Sequence, residues 1–217
     1  MIVLSAEELL AMNGLIDGVE IAGIKLTASE EAEEVRVAKL KKSFTEKEFL
    51  VDEKLSNKFM VTAKLLEYYK SSERKVFINN LRIGLTEDDY AVVLDILPSH
   101  EVSFSRVPRI TVMKKYVEAA EFLRQGQKVS FFDYEKENFS EEEFELELDS
   151  EEWKDLIVVQ KYRRKALTDF RTYYFNDKEA YCYDYKDKTR QQRGAKDFRE
   201  DLLGILEIEV GEKAIWQ

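Results

Sequence analysis

Aromatic residues recur at every second position late in this chain, and this spacing constrains the fold more than any other feature. Eight of the 24 residues in 162–185 are aromatic, and the run Tyr181-Cys182-Tyr183-Asp184-Tyr185 alternates strictly. Successive side chains of a β-strand point to opposite faces, so these three tyrosines share one face. A second run, 168–175, is followed by the polar stretch 176–179, which favours a turn. The pattern predicts a β-hairpin with a tyrosine-rich face.

Two interpretations of that face stay open from the sequence. Tyrosine combines a large apolar area with a polar tip, which suits a surface that binds other proteins. The same rings would also suit a core that lies beneath a helix, and Tyr181, Tyr183 and Tyr185 must be core or exposed together. The candidate partner-binding residues are Tyr173, Phe175, Tyr181, Tyr183 and Tyr185 on the hairpin, with Phe198 and Leu202 on the last helix.

The charge of the chain argues against several kinds of partner. Its 217 residues carry a formal net charge of −10. A protein that binds nucleic acid or an anionic membrane is expected to be basic or to have a dense basic patch. The acids are concentrated in residues 135–155, which contain eleven of them and only two basic residues, Lys136 and Lys154. We therefore expect a protein partner, no nucleic acid and no insertion into a membrane.

Cysteine usage and the first residues of the chain bear on the compartment. Cys182 is the single cysteine, so no internal disulfide can form, and a reducing compartment is expected. The start, Met1-Ile2-Val3-Leu4, is followed by Glu7 and Glu8, whereas a signal peptide needs a basic start and a longer apolar core. We expect a cytoplasmic protein.

The chain offers little that could catalyse a reaction. His100 is its only histidine, so with Cys182 it cannot supply a soft-metal site by itself. No Gly-x-Ser-x-Gly elbow and no glycine-rich phosphate loop is present. We expect no enzymatic activity, no metal site and no cofactor.

Hydrophobic spacing predicts an α+β fold with a mainly antiparallel sheet, flanking N-terminal helices and a C-terminal helix. Residues 1–217 are predicted to form a single domain, and 1–126 and 127–217, two loosely similar halves, are the alternative. The predicted helices are 6–13, 29–43, 53–69, 109–124 and 195–206. The predicted extended segments are 19–26, 76–85, 90–97, 101–106, 129–134, 168–175 and 181–185, with a further element at 153–162.

The acidic segment 135–155 is predicted to be a solvated, partly mobile connection, because dense like charge disfavours compact structure. It lacks the interleaved Asp or Asn ligands and the glycine that a calcium loop needs. We therefore expect no calcium site there.

The order of elements resembles the EspG-type chaperones of type VII (ESX) secretion systems. The opening Leu4-Ser5-Ala6-Glu7-Glu8-Leu9 is similar to the start of that family. The helices within 35–69, the strands within 75–106 and the helix 109–124 follow the family's order. The late hairpin, followed by Phe198-Arg199-Glu200-Asp201-Leu202-Leu203, resembles its C-terminal sheet and helix. The resemblance lies in pattern and spacing over most of the chain, and it includes no invariant motif.

This resemblance implies a function without catalysis. Chaperones of this family hold a helical secretion substrate, of the WXG or LXG type, by the apolar tip of its helical hairpin and keep it soluble for export. A second function competes with this one. An acidic, cysteine-poor chain could equally be an immunity protein that neutralises a secreted toxin.

Overall fold

The computed structural model describes residues 2–27, 29–119, 123, 135–149, 153–176 and 179–209. Over these ranges the chain is α+β with a mainly antiparallel sheet, as the sequence predicts. Its helices are α1 (Ala6–Ile16), α2 (Glu33–Glu46), α3 (Asn57–Ser71), α4 (Arg109–Ala119), α5 (Glu141–Leu148) and α6 (Ala195–Ile205). Its strands are β1 (Ile2–Leu4), β2 (Leu50–Val51), β3 (Lys54–Leu55), β4 (Arg74–Ile78), β5 (Leu81–Leu85), β6 (Tyr90–Ile96), β7 (Val102–Pro108), β8 (Glu137–Asn138), β9 (Asp155–Arg163), β10 (Ala166–Phe175), β11 (Ala180–Asp184) and β12 (Thr189–Gln192).

The contacts divide the chain into two compact units. Unit 1 contains Met1–Ser72, Asn80–Thr86 and Ala91–Arg106, and unit 2 contains Glu73–Asn79, Glu87–Tyr90 and Val107–Gln217. Across the described ranges, every helix is too short or too polar to serve as a membrane span.

In unit 1 the strands follow the order β1-β7-β6-β5, and helices α1 to α3 supply most of the core. Helix α1 begins with a capping box: Ser5 accepts a hydrogen bond from the Glu8 amide, and Glu8 accepts one from the Ser5 amide at 2.6 Å. Helix α3 lies so close to β5 that a Cβ at Gly84 would be 3.2 Å from the Tyr69 Cα. Glycine at that position therefore permits the helix to approach the sheet.

Several expectations for unit 1 are wrong in detail. Helix α1 continues through Gly14 to Ile16, because one glycine weakens a helix without ending it. Residues 19–26 form no strand, although Ile21 and Ile24 are buried as expected. Helix α2 begins at Glu33, four residues later than predicted. The spacing of its apolar residues also predicts that Val35 faces inward, whereas this side chain is 46% exposed.

The predicted strand 76–85 is two strands, β4 and β5. Asn79 lies between them with a φ of 49°, in the left-handed region that asparagine tolerates and a strand does not. Residues 90–97, predicted to be extended, contain strand β6, as expected. The predicted strand 129–134 lies outside the described residues.

Unit 2 contains strands in the order β4-β9-β10-β11-β12-β8. The predicted hairpin is confirmed, because β10 and β11 pair antiparallel with Tyr174 opposite Tyr181 and Thr172 opposite Tyr183. The spacing of the apolar residues in the last helix predicts that they form one buried stripe, and this prediction is confirmed as well. Its members are all buried: Phe198, Leu202, Ile205 and Leu206.

The expectation of a mobile acidic connection at 135–155 is wrong for much of that segment. Residues Glu141–Leu148 form helix α5, which begins with a capping box between Ser140 and Glu143. Three glutamates lie in its first turn, where the positive end of the helix dipole stabilises their negative charges. Phe144 is buried, so the segment is packed against the protein in spite of its charge.

Candidate protein-binding site

The hairpin of unit 2 separates its aromatic side chains onto two faces of the sheet. Tyr173 pairs with Cys182 in one register position, and Tyr174 pairs with Tyr181 in the next. Because side chains alternate along each strand, Tyr174, Tyr181, Tyr183 and Tyr185 point to one side and Tyr173 to the other. We call the first set, together with Phe170, the aromatic face.

Rings of the aromatic face contact one another closely. Phe170 stacks on Tyr185 with centroids 3.8 Å apart and planes at 7°. Tyr183 meets Tyr185 edge-on at 4.8 Å, and Tyr174 stacks on Tyr181 at 5.8 Å. Such ring pairs add to the free energy gained from burial of the apolar area itself.

Helix α5 covers the centre of the aromatic face. Phe144 stacks on Tyr183 with a centroid distance of 4.2 Å and an interplanar angle of 9°. The same ring meets Tyr174 and Tyr185 edge-on at 5.5 and 5.6 Å. Phe144, Tyr174 and Tyr183 are all fully or almost fully buried and form the core of this cluster. The face is therefore already occupied by a short helix, through the Phe144 ring and the partly buried side chain of Leu148.

A carboxylate fixes the other end of α5. Glu147 accepts a hydrogen bond from the Tyr174 hydroxyl at 2.9 Å and one from the Arg190 guanidinium at 2.8 Å. Trp153 donates its indole N–H to the Glu147 carbonyl at 3.1 Å and meets Tyr174 edge-on at 4.7 Å. Burial raises the pKa of Tyr174 well above its usual value, and the hydrogen bond to Glu147 raises it further, so this hydroxyl stays a donor.

Arg190 on β12 connects several parts of the site. Its guanidinium lies over the rings of Phe139 and Tyr181, 4.4 and 4.9 Å from their centroids. It also pairs with Glu137 at 2.7 Å, in addition to Glu147. Burial acts to lower the pKa of Arg190, but these carboxylates outweigh it and raise the pKa. Arg190 thus combines ion pairs to carboxylates with contacts to the faces of neighbouring aromatic rings.

Tyr183 has a polar atom that α5 does not satisfy. Its hydroxyl oxygen is buried, and among the described residues it has no hydrogen-bond partner. Burial raises the pKa of Tyr183, and the nearby carboxylate of Glu141 adds to this. The hydroxyl is therefore a protonated donor without an acceptor in the described part of the chain.

The other face of the hairpin is covered by α6. Tyr173 meets Phe198 edge-on at 4.6 Å and donates its hydroxyl to Asp201 at 3.1 Å. Burial raises the pKa of the Cys182 thiol to about 12. The thiol is therefore protonated near neutral pH and is a poor nucleophile.

A small polar cavity of about 60 Å³ lies on that side. Its lining includes Arg171, Arg193 and Cys182. Arg171 is paired with Asp169 at 2.9 Å and Asp184 at 3.5 Å, and Arg193 approaches Asp201 at 3.8 Å. The cavity has room for about two water molecules, and neighbouring carboxylates balance its positive charge.

The structure places the predicted partner-binding residues in three settings. Tyr183 is buried beneath α5, and Tyr181 and Tyr185 are half-buried at the edge of the same cluster. Tyr173, Phe198 and Leu202 are buried on the α6 side, and Phe175 is buried as well. The three alternating tyrosines do share a face, and α5 lies over its centre. The expectation that all three are core or exposed together is wrong, because only Tyr183 is fully buried. A role of these residues in partner binding stays a prediction.

The sequence contained a signal for α5 that composition obscured. Ser140 and Glu143 have capping-box spacing, and Phe144 and Leu148 follow at i and i+4, which places them on one helix face. Arg190 could not be assigned to this site, because it reaches α5 from a distant position in the chain. In the described ranges, no group of His, Cys, Asp or Glu side chains is arranged to hold a metal ion.

Comparisons with known proteins give a family and no function. Among curated proteins, none matches this chain. One family, described as a domain of unknown function (DUF5081), has a model that matches residues 2–214. The match takes in every described helix and strand, including the hairpin and α5. The chain therefore belongs to the DUF5081 family.

Proposed function

We propose that the protein is a non-catalytic cytoplasmic chaperone or adaptor that binds a helical secretion substrate of the WXG or LXG type and keeps it soluble for export. The observation that carries the proposal is the aromatic face with α5 on it. The face holds a short helix by one stacked ring and one carboxylate, with Leu148 packed beside them. A surface of this chemistry suits a helix from another protein equally well. The resemblance in element order to EspG-type chaperones supports the same function.

Charge and cysteine chemistry support the class of partner and the compartment. A net charge of −10 disfavours nucleic acid and anionic lipid and leaves a protein as the expected partner. The single cysteine is a buried free thiol, which is compatible with a reducing compartment.

A second candidate, an immunity protein, is favoured by the outer surface of α5. Glu141, Glu142 and Glu145 are exposed there, and Leu146 is 73% exposed beside them. An acidic surface around an apolar residue complements a basic toxin such as a nuclease. As an immunity protein, the chain would contact the toxin through α5, and α5 would stay on the aromatic face.

Co-expression tests the proposal and separates the two candidates. The protein is produced with each helical secretion substrate from its own locus and, separately, with any toxin domain encoded there. We expect a stoichiometric soluble complex with a helical substrate on size exclusion with light scattering, and no turnover of the substrate. Tight binding to a toxin domain, with failure of every helical substrate, would overturn the chaperone function in favour of immunity.

A further inference from the structure

We propose that α5 is an internal substitute for the partner: in the free protein it covers the part of the aromatic face around Tyr174, Tyr183 and Tyr185, called the groove from here on, that a partner helix takes. That partner helix has an aromatic residue followed three positions later by a carboxylate. The inference rests on the proposed function for the identity of the partner as a protein. It goes further in naming the surface, the chemistry recognised and the segment that must leave.

The first argument is that two side chains of α5 make its ring and hydrogen-bond contacts with the face, while Leu148 packs against the same cluster only partly buried. Phe144 is the only residue of the helix that is buried, and it lies in a box formed by Tyr174, Tyr183 and Tyr185. Glu147, three positions later, accepts from Tyr174 and Arg190. Residues three apart lie on the same side of a helix. The groove therefore binds a helix that has an aromatic residue followed three positions later by a carboxylate, whether that helix belongs to this chain or to a partner.

The second argument is that α5 is short and leaves a buried donor of the groove unsatisfied by the described residues. It has eight residues, fewer than an isolated helix needs to be stable in water. The buried Tyr183 hydroxyl has no partner in the described part of the chain, and a buried donor without an acceptor is costly. A longer helix with an acceptor at that point would bind the groove better than α5 does.

The third argument concerns charge. Arg190 pairs with Glu147, and it is already shared with Glu137. A partner carboxylate at the Glu147 position would keep the ion pair with Arg190, whereas a basic residue there would place two positive charges next to each other. The partner helix is therefore acidic or neutral at this position, which distinguishes it from the basic toxin expected for an immunity protein.

Binding of a fluorescently labelled peptide of residues 139–149 (Phe-Ser-Glu-Glu-Glu-Phe-Glu-Leu-Glu-Leu-Asp) tests the inference. In the intact protein α5 competes with the peptide at an effective concentration on the order of millimolar. Phe144→Ala in the full chain should release α5 and strengthen peptide binding by about tenfold or more. Leu146→Ser, at the exposed position of the same helix, is the matched control and should leave peptide binding as in the wild type.

Changes in the peptide and in the groove give the specificity. Replacing the second phenylalanine of the peptide by alanine should remove binding, and replacing the glutamate three positions later by glutamine should weaken it. Arg190→Ala in the protein should abolish that preference for glutamate over glutamine. If Phe144→Ala does not fold, Glu147→Gln releases the other end of α5 and serves in its place.

The inference is overturned if a folded release variant binds the peptide no better than the wild type, or if the peptide without its phenylalanine binds equally well. The assay needs no secretion substrate, so its outcome is independent of the co-expression test. Peptide binding without any substrate complex would leave the groove in place and remove the chaperone function. A substrate complex without peptide binding would place the partner surface elsewhere.

Discussion

Phe144 lies flat on Tyr183, with ring centroids 4.2 Å apart and planes 9° from parallel. The first residue is in a segment dominated by glutamate, and the second is in the alternating tyrosine run. This contact joins α5 to the sheet and buries both rings. The stability of α5 on the sheet, and the access of a partner to the aromatic face, depend on the strength of this contact.

Phe144→Ala should expose α5 to proteolysis. A buried Phe→Ala change costs about 3 kcal/mol, so cleavage by a Glu-specific protease after residues 141–147 should accelerate by roughly 100-fold. Leu146→Ala changes an exposed side chain and should leave the rate unchanged. Rapid cleavage of the wild type at these sites would show that the helix is not held in solution.

Two tyrosine-to-phenylalanine changes should have opposite effects on stability. Tyr174→Phe removes the hydrogen bond to Glu147 and should lower the free energy of unfolding by about 1–2 kcal/mol. Tyr183→Phe removes a buried hydroxyl without a partner in the described residues and should leave the stability unchanged or raise it by about 1 kcal/mol. Urea unfolding measures both, and an equal loss in the two variants would show that the Tyr183 hydroxyl is hydrogen-bonded.

Tyr183→Ala tests whether the face is structural in the free protein. Removal of a fully buried ring should cost roughly 3–5 kcal/mol of unfolding free energy. Leu167→Ala, on the same hairpin and 49% exposed, is the control and should cost much less. A wild-type melting temperature for Tyr183→Ala would mean that the face is open in solution.

Glu8 should make unit 1 sensitive to acid. Burial acts to raise the pKa of Glu8, but hydrogen bonds from Lys47, Ser43 and the Ser5 amide outweigh it and hold the pKa below its usual 4.5. A carboxyl whose pKa is lowered by folding stabilises the protein above its unfolded pKa. That stabilisation is lost as the pH falls through the folded pKa.

Glu8→Gln should therefore lower the unfolding free energy by roughly 1–3 kcal/mol at pH 7, and the difference from wild type should shrink below pH 4.5. Glu31→Gln, from an exposed pair with Lys39, should change little at either pH. A difference for Glu8→Gln that stays constant from pH 7 to pH 3 would contradict this account.

The thiol of Cys182 should react slowly while the protein is folded. Its pKa is raised to about 12 by burial, so the thiolate is a very small fraction at neutral pH. A thiol reagent should modify the native protein far more slowly than the protein in denaturant. Equal rates in the two states would show that the α6 side of the hairpin opens readily.

Sequence patterns predicted the parts of this fold that depend on local spacing. The hairpin 168–185 and the stripe of Phe198 and Leu202 follow from periods of two and 3.6, which local geometry imposes. Helix α5 was not predicted, because eleven acids in 135–155 indicated solvation. One phenyl ring and Arg190, which lies about 45 positions later in the chain, hold that helix on the sheet, and neither contact is visible in local spacing.

The candidate site was only half predictable for the same reason. The alternation of Tyr181, Tyr183 and Tyr185 required that they share a face. Whether that face is covered depends on a helix from elsewhere in the chain, and a strand pattern contains no information about its neighbour. Val35 shows the converse case, since helical spacing places it inward and its side chain is 46% exposed.

Amide hydrogen exchange in α5, measured with and without a bound helical secretion substrate, tests the central claim most directly. We predict that the amides of residues 144–148 are protected in the free protein and lose protection when the substrate binds, while β10 and β11 stay protected. The partner then takes the place of α5 on the aromatic face. A substrate complex in which α5 keeps or gains protection would contradict the account, because the partner would bind without entering the groove.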